Sequence, residues 1–195
     1  NINGITILDT SFTHPFGTTL NATLTIPKIH FRVSVRQSIV NNPVYWNNTG
    51  RPAQFDGIFT IAQLDAHHKL IFKHFGFEND VYLQIQGHTI NPLPKFFSTH
   101  EIYYKGIWFN QAMEMKIGFD GRLLPSYNGP AFQPLYGSYH LSDTTLPFAP
   151  EVNLFIQAKV SSFRALLSIE NFSRYWVKTH LYNVAGYPVF DPTFR

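Results

Sequence analysis

Ile29-His30-Phe31-Arg32-Val33-Ser34-Val35-Arg36 puts an apolar side chain at every odd position and a polar, mostly basic one at every even position. Successive side chains of a strand point to opposite faces, so this stretch has one aliphatic and aromatic face and one polar, largely cationic face. Leu20 to Ile26 alternates as cleanly on the opposite parity, and a turn at Pro27-Lys28 would set Ile26 beside Ile29. The arrangement recurs near the end of the chain. Leu154, Ile156, Ala158 and Val160 alternate on even positions, Ser161-Ser162 intervene, and Phe163, Ala165, Leu167 and Ile169 continue on odd ones. Two-residue turns between parity-matched strands are the inner-side pattern of a transmembrane β-barrel. A soluble antiparallel sheet can alternate too, so composition has to arbitrate.

Aromatics reach 16% of the 195 residues, while charged residues fall to 14%. A soluble domain carries about 25% charged residues on its exterior. An outer-membrane barrel instead has an apolar exterior with aromatic girdles, and keeps its few charges for the lumen and loops. No run of about 18 apolar residues exists, which excludes a transmembrane helix. The absence of cysteine excludes a disulfide scaffold and a thiolate metal site. A formal charge of +3 without a basic cluster argues against nucleic acid. Asn1 to Gly4 open directly into a strand-like stretch without a signal-peptide pattern, so a mature chain or a segment of a longer one is expected.

The alternation predicts strands at about residues 4–12, 18–26, 29–40, 57–73, 77–90, 99–109, 112–124, 151–160 and 163–171. Prolines gather between them, at Pro92 and Pro94, from Pro125 to Pro150, and at Pro188 and Pro192. The stretch from Leu124 to Pro150 is long for a loop in a compact soluble domain and suits an extracellular barrel loop. Aromatic pairs such as Tyr45-Trp46, Phe96-Phe97, Trp108-Phe109 and Tyr175-Trp176 crowd the strand ends, where interfacial belts sit. In a soluble sheet the same rings would be cross-strand pairs.

No catalytic, cofactor or metal site is expected. His67 and His68 are adjacent and point to opposite faces of a strand, and His100-Glu101 lacks the second histidine of an HExxH helix. Ser126, His140, Ser142 and Asp143 crowd the long loop, and Asp65 and His67 share a face, but no nucleophile-elbow spacing links them. Asn47-Asn48-Thr49 and Asn171-Phe172-Ser173 match a glycosylation sequon by pattern alone. The better functional hint is the set His30, Arg32, Arg36, Asp65, Lys69, Lys73, Lys116, Arg122, Lys159 and Arg164, all opposite the apolar faces. In a barrel these residues point into the lumen, since a charge facing lipid at mid-membrane costs about 2–4 kcal/mol. Cations dominate the set, so an open lumen is expected to favour anions.

Further stretches carry a resemblance. They are Arg51-Pro52-Ala53-Gln54, Pro94-Lys95-Phe96-Phe97-Ser98-Thr99-His100 leading into Glu101-Ile102-Tyr103-Tyr104, and Ile117-Gly118-Phe119-Asp120-Gly121-Arg122. Ala131-Phe132-Gln133-Pro134 and Pro150-Glu151-Val152-Asn153-Leu154-Phe155 follow in the same order. Together they resemble the C-terminal half of the putative porins of the Bacteroidota, an outer-membrane β-barrel family. Glu170-Asn171-Phe172 through Tyr182, and Gly186-Tyr187-Pro188 to Arg195, also resemble the last hairpin of that phylum's barrels, including its TonB-dependent transporters. The resemblance implies an all-β, antiparallel transmembrane barrel in a bacterial outer membrane. It implies a single barrel segment over residues 1–195, from a longer barrel whose last strand lies beyond Arg195. Passive diffusion of small solutes is the implied role. The alternatives are a barrel subunit or scaffold of a secretion or assembly machine, and a TonB-dependent transporter barrel. The partners implied are outer-membrane lipid and, in a complex, other outer-membrane or periplasmic proteins. A soluble β-sandwich that binds carbohydrate through exposed aromatics is the rival outside the membrane.

Overall fold

A computed structural model describes residues 11–177 and 182–195. It is an antiparallel sheet of nine strands in which every strand pairs with its neighbour in sequence. The strands are β1 (Phe16–Ile26), β2 (Phe31–Asn41), β3 (Ile58–Phe72), β4 (Phe75–Gln86), β5 (Phe96–Trp108), β6 (Met113–Leu124), β7 (Ala149–Val160), β8 (Phe163–Glu170) and β9 (Thr193–Phe194). β1 and β9 end the sheet, so the described residues form an open meander and not a closed cylinder.

The period-two pattern sets the two faces. Leu24 pairs with Val33, Val33 with Ala66, Ala66 with Val81, and Val81 with Ser98, which gives one mostly apolar row across five strands. The neighbouring row runs Thr25, Arg32, His67, Asp80, Thr99, Arg122 and Glu151 on the other face. Large apolar side chains on the first face are left uncovered: Leu20 is 73% exposed and Ile85 72%. Soluble monomers rarely leave a continuous apolar wall of this kind to water, and such a surface marks a protein or membrane contact.

Connections alternate strictly in length. Pro27–His30, Lys73-His74, Phe109–Ala112 and Ser161-Ser162 are tight turns at one end of the sheet. The residues numbered 42–57, 87–95, 125–148, 171–177 and 182–192 belong to the long connections at the other end. The first tight turn is longer than its sequence suggested. Pro27–Ile29 form a 3-10 turn, His30 takes the left-handed conformation, and Phe31 is the residue opposite Ile26. The reason is the proline, which fixes its own backbone and opens the helical turn, so the ladder resumes two residues late without changing the parity of the faces.

Two other expectations shift. The strand expected at 4–12 falls largely on residues outside the described ones, and residues 11 and 12 are not in a strand. The Leu124–Pro150 connection is not irregular. Tyr127–Asn128 pairs with Thr145–Leu146, and Ala131–Gln133 with Ser138–His140. These hairpins build the buried core. Leu124 and Ala149 are buried together on the polar side of the sheet and covered by Phe97, Tyr127, Val177 and Val189. Leu146 is buried against Gly129, where an added Cβ would fall 2.2 Å from Leu146 Cδ1.

Candidate functional site: the charged face of the sheet

In the strands of this sheet, every Lys, Arg, Asp and Glu stands on the same face. Of the residues singled out from sequence, Arg32, Arg36, Asp65, Lys69, Lys116, Arg122, Lys159 and Arg164 are there. His30 and Lys73 are not. Both close tight turns with positive φ, at 49° and 52°, and so belong to the turn end and not to a strand face. Tight turns need a left-handed residue to match the strand twist, and here non-glycine residues supply it.

The sequence reading missed the partners. Glu78, Glu101 and Asp120 lie directly opposite one another on three adjacent strands. Like charges in that position repel, and each takes a different partner, two of them lysines and one a neutral amide. Lys69 Nζ is 2.5 Å from Glu78 Oε1, Lys116 pairs with Glu101, and Asn153 Nδ2 donates to Asp120 Oδ1 at 2.8 Å. Two residues further along the strands toward the long loops, His67 meets Asp80 at 2.8 Å, and Arg122 meets Glu151 at 2.8 Å. Asn183 Nδ2 also donates to Glu151 Oε1, at 3.0 Å, and so ties the last long connection to the sheet.

Tyr103 organises the middle of this face. It lies between Gly76 and Gly118 on the flanking strands, and an added Cβ at Gly76 would fall 2.1 Å from its ring. Only glycine admits the ring there. The phenol donates to Glu78 Oε1 at 3.2 Å, and Lys116 Nζ sits 3.9 Å from the ring centroid. One aromatic thereby links the carboxylate row to the next row of cations.

The face as a whole is balanced. Arg32, Arg36, Lys69, Lys105, Lys116, Arg122, Lys159 and Arg164 face Asp65, Glu78, Asp80, Glu101, Glu114, Asp120, Glu151 and Glu170. The expected overall excess of positive charge is therefore absent from the described strands. Glu78 and Asp80 were overlooked because Asn79, a polar residue on the apolar side, blurs the alternation of Phe77 to Tyr82.

The apolar face also carries a hydrogen-bonded polar cluster, which sequence reasoning missed. Ser98 Oγ is 2.9 Å from His100 Nε2, and His100 Nδ1 is 2.7 Å from Asn79 Oδ1. The order of contacts is that of a nucleophile, base and orienting group. Ser98 is only 2% exposed, however, so its hydroxyl is covered by its neighbours and acts as a hydrogen-bond partner for the histidine. A chain of this kind satisfies polar groups that the apolar side chains around them would leave unpaired.

No curated protein matches the chain. A family model described as putative porin matches residues 8–195. An antiparallel meander with charges confined to one face and an uncovered apolar wall on the other is what such a family requires, and the chain belongs to the putative porin family.

Proposed function

We propose that this chain forms part of the wall of a bacterial outer-membrane β-barrel that lets small solutes diffuse passively through a water-filled lumen. One observation carries the reading: the strands keep every formally charged side chain on one face, although nothing in a two-sided aqueous sheet would require it. Lipid on one side and water on the other would. The apolar face then meets the hydrocarbon of the bilayer, and the face built around Tyr103 lines the lumen. The tight turns lie on the periplasmic side and the long connections outside, as in barrels of known orientation. No reaction is assigned to the chain on this reading.

The test is a matched pair of substitutions. Val33→Arg should weaken refolding into liposomes by about 2–4 kcal/mol, while Ser34→Arg on the opposite face should be mild. Equal tolerance of both would overturn the barrel wall. The full-length protein in planar bilayers should then conduct, with an epitope at Gly129 detected on intact cells and one at Ser161 hidden.

A second reading is favoured by the long-connection end, where Val177 and Val189 lie across Leu124 and Ala149 on the polar side. A lumen covered there would suit a barrel that holds partner proteins in the outer membrane. A correctly inserted protein with no conductance at any voltage would select that role over diffusion.

A further inference from the structure

The charge balance of the polar face hides a separation. Carboxylates gather around Glu78, Glu101 and Asp120, while cations gather toward the tight turns. There Lys105 lies directly opposite Lys116, and Lys159 directly opposite Arg164. Two like-charged pairs side by side work against the sheet. The single carboxylate among them, Glu114, lies opposite Lys159 but gives its Oε1 to Lys105 Nζ at 2.7 Å. Lys116 turns the other way, to Glu101 and the Tyr103 ring. Among the described residues, neither Lys159 nor Arg164 has a carboxylate within ion-pair distance.

These side chains, with Gln157 and Leu166, line an open concavity of about 410 Å³. Such a volume is in the range of small-molecule sites and exceeds what a bare inorganic anion fills. Arginine offers a planar fork of donors that matches phosphate oxygens, lysine adds a mobile point charge, and glutamine adds a neutral donor. Leu166, 59% exposed beside these cations, offers apolar surface to the organic part of a ligand.

We infer that Lys159, Arg164, Lys105 and Gln157 form a binding site for the phosphate group of a small organic phosphate at the tight-turn mouth of the lumen. The inference rests on the reading of this face as a lumen wall, and it gives that lumen a solute class. Glu114 holds Lys105 in place. The phosphate could belong to a free solute or to a lipid headgroup, and the soluble ester is favoured because the site is on the face opposite the apolar wall.

The experiment uses the full-length protein refolded in detergent and titrated calorimetrically with glycerol 3-phosphate, with glycerol and inorganic phosphate in parallel. Saturable binding of glycerol 3-phosphate, weaker binding of inorganic phosphate and none of glycerol are expected. The double variant Lys159→Gln, Arg164→Gln should bind at least tenfold more weakly, while Lys28→Gln, which removes a turn charge elsewhere, should bind normally. Circular dichroism checks that each variant keeps its sheet, and Arg164→Lys, which keeps the charge without the fork, should fall between. No saturable binding by the unaltered protein, or equal binding by the double variant, overturns the site. Binding of short-chain phosphatidylglycerol without glycerol 3-phosphate would overturn the soluble-ligand assignment. Phosphate binding by a protein that fails to conduct would sink the diffusion reading and leave this site standing.

Discussion

The two ends of this sheet are built from the same strands and held by different physics. At the tight-turn end the strands are joined by two to four residues, and the apolar side chains nearby stay open: Ile71 is 56% exposed and Ile107 69%. At the other end the connections fold into hairpins, and Leu124, Leu146, Ala149 and Ser173 are buried there. Contacts between distant residues tie that end together. Asn48 Nδ2 donates to Asp143 Oδ1 at 3.0 Å, Leu141 N to Trp46 O at 3.1 Å, and Ala185 N to Pro130 O at 2.8 Å. A turn closes by local backbone geometry, whereas a folded loop has to offset its larger ordering entropy by burying side chains. The comparison teaches that the open end can be an entrance with a permanent shape, while the loop end holds its shape only as long as its small core does.

Leu146→Ala should break that contrast most strongly. Removing a fully buried side chain at a site that cannot collapse costs about 2–5 kcal/mol. Limited proteolysis should then cut within residues 125–148 and leave the Ser161-Ser162 turn intact. Equal cleavage at both ends would mean that they do not behave independently.

Ser98→Ala tests the apolar face between the ends. It leaves His100 Nε2 without its partner, and an unpaired polar group in an apolar setting costs about 1–3 kcal/mol. Urea titration in liposomes should register the loss, and Ser98→Thr, which keeps the hydroxyl, should recover most of it.

A smaller effect is expected from Lys69→Gln. The Lys69–Glu78 pair is at 2.5 Å, but the two side chains keep 32% and 24% of their surface, so solvent screens it. A loss of about 0.2–1 kcal/mol in the same titration is expected, shrinking as salt is raised.

The mildest handle is pH. Burial pushes the Tyr127 phenol upward at the loop end, with Arg122 pulling the other way. The folded chain therefore favours the neutral phenol, and this contribution is complete below the unfolded value of about 10 and is lost as pH rises through the folded one. Protease sensitivity of residues 125–148 should increase as pH rises above about 10, and Tyr127→Phe should remove that part of the dependence. Unchanged behaviour in the variant would show that other groups loosen this end.

Much of the wall was legible in the chain. The parity of Leu20 to Ile26 and of Phe31 to Val35 fixes which side chains share a face, since period-two alternation is a local property of extended backbone. Which charge meets which was not legible. Lys116 finds Glu101 only because β5 and β6 pair in one register, and a slip of two residues would keep every face and exchange every partner. The purpose of Gly76 and Gly118 is likewise visible only in the register, which places the Tyr103 ring between them.

The amino-acid sequence by itself determined the strands, the separation of an apolar from a charged face, and the alternation of short turns with long connections. Each depends on residues within a few positions of one another. The tertiary structure alone decided the balance of charge on the polar face, the crowding of free cations at the tight-turn end, and the hairpins that close the loop end. Those features depend on side chains brought together from strands far apart in sequence, and local patterning carries no information about distances between them.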